Sequence, residues 1–140
     1  MVDVRVLRAL HDPDRARIAA FLHDARVDDC AQLNDHLALD LAHGPADGFV
    51  AVEALDGDRT VGYAQASAAH DGFIVDSIVR EGTAADPEAT RLALLRTALD
   101  ALPRDARITW WTHDPHTAEP LADALGLVPG RSLLQMRRPL

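Results

Sequence analysis

Three β-forming runs lie back to back between residues 48 and 80, separated by two aspartate–glycine turns. The first run, GFVAVEAL, ends at Asp56-Gly57-Asp58. Asp-Gly at such a point is a strong hairpin signal, because glycine accepts the positive φ of a tight turn. The second run, residues 60–67, therefore returns antiparallel. Asp71-Gly72 marks another turn, and residues 73–80 form the third run. This is a three-strand meander, and what flanks it decides the fold class.

Ahead of it, Val2, Val4 and Val6 alternate with Asp3 and Arg5, which predicts a strand over 2–10 with one wet face. Asp12-Pro13 reads as a helix N-cap followed by proline at the first helical position. Ile18, Phe21, Leu22 and Ala25 then recur at helical spacing and predict a helix over 13–27. Leu33, Leu37 and Leu41 mark a second helix, ended by His43-Gly44-Pro45.

Behind the meander, Asp86-Pro87-Glu88 opens a helix with an expected buried stripe of Leu92, Leu95, Leu99 and Leu102, stopped at Pro103. RITWWT, residues 107–112, is a further strand, and its place after a helix makes it a parallel neighbour. Thr117 caps a last helix that tolerates Pro120 in its first turn and ends at Gly126. Pro129-Gly130 makes a turn before the final strand, SLLQMRR. The order is β-α-α-β-β-β-α-β-α-β. It defines an α/β (α+β) chain, one domain over residues 1–140, whose mixed, mostly antiparallel sheet has about six to seven strands and about four helices.

Composition narrows the partners. The chain is 48% apolar and 4% aromatic, which supports a core of Leu, Ala, Val and Ile. All 14 basic residues are arginine, a feature of GC-rich bacterial coding, and the net charge of −8 argues against a nucleic-acid surface. The single Cys30 excludes an internal disulfide and, after Asp28-Asp29, is not placed to be a thiolate. No apolar run approaches the roughly 20 residues of a membrane span. MVDVRVLRAL lacks a signal-peptide core, so the expected location is the cytoplasm.

This order of elements resembles that of the Gcn5-related N-acetyltransferases (GNAT). The stretch ALGLVPGRSLLQMRRPL, residues 124–140, together with WTH at 111–113, is similar to the end of the N-terminal half of the mycothiol synthases, which are tandems of two such domains. Residue-level likeness runs from Gly62 onward. The resemblance implies transfer of an acyl group from a coenzyme A thioester to an amine. It implies a fourth and a fifth strand that splay to admit the pantetheine, and backbone groups of Ile78, Val79 and Arg80 on its amides. Gly82 would open the loop that holds the pyrophosphate.

That loop reads Gln/Arg-x-x-Gly-x-Gly/Ala in the family and falls here on residues 84–89. Ala84 stands at the basic or amide position, Pro87 at the first glycine, and Ala89 alone fits. Glycine in such a loop lets N–H groups approach the phosphates, whereas Pro87 deletes a donor and adds a ring. Asp86 and Glu88 suit the helix dipole by about 0.3–1 kcal/mol each and would compete with an anion. The family's usual acid, a tyrosine four residues before the closing glycine, falls on Ala122; the only tyrosine is Tyr63.

Candidate chemistry gathers in two places. Asp76 and Glu81 lie on or just past the fourth strand, with Asp76 on the face of Ile74 and Ile78, where a carboxylate would serve as general base. His113, Asp114 and His116 follow the end of the fifth, a position where function collects in open α/β sheets. His113 is the second candidate base. The His-x-x-His spacing lacks a third nearby ligand and gives no metal site. Trp110 and Trp111 point to opposite faces of their strand, and Arg137-Arg138 reads as a solvated strand end. Two functions stay open. One is a domain with a degenerate acyl-CoA loop, without cofactor and in a binding or regulatory role with a partner protein. The other is an acetyl-CoA- or other acyl-CoA-dependent N-acetyltransferase acting on a small-molecule or peptide amine. Neither involves nucleic acid or a membrane.

Overall fold

The computed structural model describes residues 2–7, 10–25, 49–69, 72–80, 86–110 and 123–126. In chain order these form β1 (Val2–Leu7), α1 (Asp12–Ala25), β2 (Val50–Asp56), β3 (Arg59–Ala69), β4 (Gly72–Val79), α2 (Pro87–Asp100) and β5 (Ile108–Trp110), with a helical turn at 123–125. The helix expected at 33–41, most of the last helix and the final strand lie outside the described residues.

The meander forms as its turns dictate. Asp56 pairs with Arg59 across a two-residue turn whose first position, Gly57, has φ 66°; a type II′ hairpin turn requires such a residue there. The five described strands are ordered β1-β2-β3-β4-β5; the first four pair antiparallel and β5 joins β4 in parallel, as its place after a helix predicts. The parallel pairing begins where the Phe73 N–H donates to the Arg107 carbonyl at 2.8 Å. It needs Gly72, whose φ is 152° and whose missing Cβ would stand 2.1 Å from that same carbonyl oxygen.

A strand turns alternate side chains to opposite faces, and each face carries a helix. On one, Val52, Ala54, Ala64, Ala66, Val75 and Val79 pack against Leu94, Leu95, Ala98 and Leu102 on and just past α2. On the other, Ala51, Tyr63 and Ile78 meet Ile18, Phe21 and Leu22 of α1, three of the four stripe positions read from the sequence.

Two sequence expectations shift. The buried stripe of α2 runs through Thr90, Leu94, Leu95 and Ala98, while Leu92 and Leu99 are only half-buried. The reason is Gly62 beneath the helix. A Cβ at that position would meet Leu94 Cδ1 at 2.8 Å, so the bare backbone of β3 admits Leu94 at the centre of the contact. The start of α1 also moves by one residue: the Arg15 N–H donates to the His11 carbonyl at 3.1 Å, so Asp12 lies inside the helix. Asp14, rather than Asp12, supplies the side-chain cap, accepting from the His11 N–H at 3.3 Å in the reciprocal half of a capping box.

A buried carboxylate locks α1 to the sheet. Glu53 on β2 is fully buried and accepts from Arg17 of α1, Arg5 of β1 and Thr60 of β3. Burial pushes its carboxyl upward, but the bonds from Arg17, Thr60 and Arg5 outweigh this and hold it below the ordinary glutamate range.

Candidate functional site

Asp76 sits in the middle of β4 at 7% exposure, on the face that α1 covers. Its register partner on β3 is Gln65, and the neighbouring pair on the same face is Tyr63 with Ile78. The Tyr63 hydroxyl donates to Gln65 Oε1 at 2.7 Å, and Gln65 Nε2 donates to Ser67 Oγ at 3.3 Å. A polar run thus follows β3 from the buried Tyr63 to the half-exposed Ser67, with Asp76 beside it. Tyr63, Gln65 and Asp76 each have further partners. Sequence reading singled out Asp76 and missed the run. Its signal is the alternation in YAQAS, where Tyr63, Gln65 and Ser67 take every second position.

The edge of β4 is the second part of the site. The Arg80 N–H donates to the Val61 carbonyl on β3 at 3.1 Å, whereas the Phe73 N–H donates the opposite way, to Arg107. Backbone groups alternate sides along a strand. Phe73, Val75, Ser77 and Val79 therefore turn their amides toward the β5 side, and Ile78 and Arg80 turn theirs toward β3. The three expected pantetheine positions differ accordingly: Val79 presents its backbone groups to the β5 side, while the Arg80 N–H is committed within the sheet. Described pairing of β4 with β5 reaches Val75 and Trp110, and β4 runs on to Val79.

Above this edge stands Arg91, one turn into α2. Its Nη1 donates to the Ser77 carbonyl at 3.3 Å and to Ser77 Oγ at 3.4 Å. Nothing in the sequence pattern announced it, because Arg91 falls between the apolar positions of the helix.

At the start of α2 the side chain of Asp86 is an N-cap. Its Oδ1 accepts from the Ala89 N–H at 3.1 Å, its carbonyl accepts from the Thr90 N–H at 3.1 Å and from Thr90 Oγ1 at 3.0 Å, and Pro87 takes the first helical position. The capping expected from Asp86-Pro87-Glu88 is present.

Trp110 is half-buried against the α2-face core. Gly82, Glu81, Ala84, Ala85, Trp111, His113, Asp114, His116, Ala122 and Arg137-Arg138 lie outside the described residues, and with them any splay of the chain after Trp110. Among the described residues no group of three or more His, Cys, Asp or Glu could hold a metal ion, and no helix is long and apolar enough to cross a membrane.

A meander, a helix crossing its face and a parallel fifth strand form the frame of solved acetyltransferases. The chain superposes on a GNAT-family acetyltransferase of Streptococcus pneumoniae with a TM-score of 0.66 at 16% identity, covering 99% of this chain and 100% of that one. An acetyltransferase of Clostridium acetobutylicum solved with acetyl-CoA gives a TM-score of 0.59 at 10% identity, covering 98% and 96%. The fold is that of these Gcn5-related N-acetyltransferases.

Within it, the sequence is similar to mycothiol acetyltransferases. It is 36% identical over 118 residues to the one from Kytococcus sedentarius, covering 83% of this chain and 36% of that protein. It is 34% identical over 139 residues to the one from Clavibacter michiganensis, covering 95% and 43%. The chain spans less than half the length of these curated relatives. No family model matches it.

Proposed function

We propose that this chain is a GNAT-fold domain in a binding or regulatory role, in which the acyl-CoA pyrophosphate site has degenerated and the cofactor binds weakly or not at all. The supporting observation is the use of the donors at the start of α2. An anion at a helix start is held by free N–H groups. Pro87 has none, the Ala89 N–H is taken by the Asp86 carboxylate and the Thr90 N–H by the Asp86 carbonyl. The remaining donor in that turn belongs to Glu88, whose own side chain is anionic. A pyrophosphate arriving there would have to displace a cap and tolerate two carboxylates. A cytoplasmic location and recognition of a partner protein belong to the same reading.

A second reading is favoured by Asp76. A carboxylate at 7% exposure beside the Tyr63–Gln65–Ser67 run would take a proton from an attacking amine. The chain would then be an acyl-CoA-dependent N-acyltransferase for a small-molecule or peptide amine, as the names of its relatives suggest. Asp76 or His113 would be the base, with the pantetheine against Ile78, Val79, Arg80 and Gly82. Calorimetric titration of the full chain with acetyl-CoA separates the two readings. The first expects a Kd weaker than about 0.1 mM. Micromolar affinity, with the pyrophosphate seated at residues 82–89, overturns it in favour of the second.

A further inference from the structure

We infer that α1 opens from the sheet as a unit, with the Arg17–Glu53 pair as an exchangeable latch. Two separate cores make such an opening local. Ile18, Phe21 and Leu22 of α1 cluster with Ala51, Tyr63 and Ile78, and no residue of α1 enters the cluster that α2 builds on the opposite face. The described contact of α1 with the sheet can therefore part while the α2 core stays packed. Native proteins undergo such sub-global openings at free energies below that of full unfolding.

The latch parts without leaving either charge alone. On the sheet, Glu53 accepts from Arg5 of β1 at 3.1 Å and from Thr60 of β3 at 2.6 Å, and both donors stay with it when α1 leaves. On the helix, Arg17 Nη2 donates to Asp14 Oδ1 at 2.8 Å, one turn back on α1 itself. Breaking a buried ion pair is costly because it strands the remaining charge; here each member keeps a partner within its own layer. Opening gives up the bonds from Arg17 Nε and Nη2 to Glu53. Arg15 adds a cost to the closed state. It precedes Ile18 by one turn and Leu22 by two, so it shares their side of the helix. Its Nε is buried without a hydrogen-bond partner among the described residues. A buried donor left unpaired is destabilising, and hydration on opening removes that penalty. Opening uncovers the floor of Ala51, Tyr63 and Ile78, including the Tyr63 hydroxyl that begins the polar run to Ser67. The latch thus sets access to that run from the α1 side, independently of whether the chain binds acyl-CoA.

Native-state hydrogen exchange of the full chain in low urea tests the latch, together with thiol labelling of Ala51→Cys in a Cys30→Ser background. Ala51 is fully buried in that floor, so its labelling rate reports uncovering. In wild type, the amides of Ile18, Phe21 and Leu22 are expected to exchange through an opening with a smaller urea dependence than those of Leu94 and Leu95. Arg17→Met should speed α1 exchange and labelling at position 51 by about ten- to a hundredfold, the worth of charge-assisted bonds. Arg5→Met removes a bond kept in both the closed and the open state. It should speed exchange at Leu94 and Leu95, which follows global unfolding, and leave α1 exchange within about twofold of wild type. Thermal melts establish that each variant remains folded; if Arg17→Met does not, Arg17→Lys, which gives up the bidentate grip, reads the same direction. One shared opening energy and urea dependence for α1 and α2 in wild type overturns the latch, because α1 then leaves only on global unfolding. Arg5→Met speeding α1 as much as Arg17→Met also overturns it, since Glu53 then has no resting partner on the sheet. Faster amide exchange in Arg17→Met without faster labelling at position 51 overturns it too, because α1 then frays in place.

Discussion

Arg17 grips Glu53 by both carboxylate oxygens, Nε to Oε2 at 2.7 Å and Nη2 to Oε1 at 2.8 Å. The same oxygens accept from Arg5 at 3.1 Å and from Thr60 at 2.6 Å, so a carboxylate with no solvent exposure makes four hydrogen bonds. A bidentate guanidinium fork offsets the desolvation of the charge and fixes its direction. Breaking a buried pair costs about 3–5 kcal/mol, and because Arg17 and Arg5 keep 30% and 50% of their side-chain exposure the expected loss here is smaller, about 2–4 kcal/mol. Glu53→Gln is expected to destabilise by that amount in urea unfolding, with α1 the first element to lose amide protection.

Acid reaches the same network. The Glu53 carboxyl is held below its ordinary value of 4.5 in the folded chain; burial opposes this shift and the bonds from Arg17, Thr60 and Arg5 produce it. Asp14 is held low as well, chiefly by its bond to Arg17. The unfolded chain therefore takes up protons first as pH falls, and unfolding gains from each. The stability these groups contribute is complete above the ordinary carboxylate range and lost as pH drops below about 4.5 through their folded values. A urea series from pH 7 to pH 3 should show this loss in wild type and a flatter profile in Glu53→Gln. Identical profiles would remove Glu53 from the acid response.

Leu94 of α2 packs over the bare backbone of Gly62 on β3. A methyl at 62 would stand 2.8 Å from Leu94 Cδ1, the end of a side chain that can rotate, and 3.5 Å from the Ile78 carbonyl. Gly62→Ala is expected to cost about 1–3 kcal/mol through overpacking. The double variant Gly62→Ala/Leu94→Ala should recover part of that loss relative to the sum of the single changes, because the two side chains then share one space. Strict additivity would mean that they do not compete.

How much of this was legible in the chain depends on the range of the interaction. The meander, the α1 stripe and the Asp86 cap rest on turn residues, periodicity and contacts a few positions apart, and each appears where the sequence puts it. The parallel fifth strand followed from the helix before it. The Glu53 network joins positions 36 and 48 residues apart, and in GFVAVEAL a single glutamate reads as a polar interruption rather than the hub of three strands and a helix. The shift of the α2 stripe toward Leu94 depends on a glycine on another strand, which leucine periodicity cannot register. In the candidate site, Asp76 was legible by alternation. Arg91 on Ser77 was not, since the contact follows from how α2 lies over β4.

Gly72 gives a sharper test of the sheet. A Cβ there would stand 2.1 Å from the Arg107 carbonyl oxygen and 2.9 Å from its carbon, and backbone cannot rotate aside. Its φ of 152° is also one that side-chain-bearing residues rarely adopt. Gly72→Ala is therefore expected to cost more than about 3 kcal/mol, in the range of a strained backbone combined with a lost strand contact. Hydrogen exchange should report it first at the Phe73 amide, which donates to Arg107. A variant with wild-type stability and a protected Phe73 amide would contradict the start of the β4–β5 pairing.

Asp76 decides between the two functional readings from the side of chemistry rather than affinity. It lies on the sheet face that carries α1, with Gln65 as its register partner. Asp76→Asn keeps shape and hydrogen-bonding reach but removes the ability to accept a proton from an ammonium. A positioned general base contributes about 10²- to 10⁴-fold to rate. If the full chain transfers acetyl groups to a small amine, Asp76→Asn is expected to lower kcat by at least about 10²-fold, while His116→Ala stays within about twofold. The loss should fall on kcat with KM little changed, since the missing interaction is made only as the proton moves. Equal and small effects from both substitutions would exclude Asp76 as the base and return the role to His113. Transfer undetectable in wild type, with Asp76→Asn as stable as wild type, is the outcome expected of a domain that binds rather than catalyses.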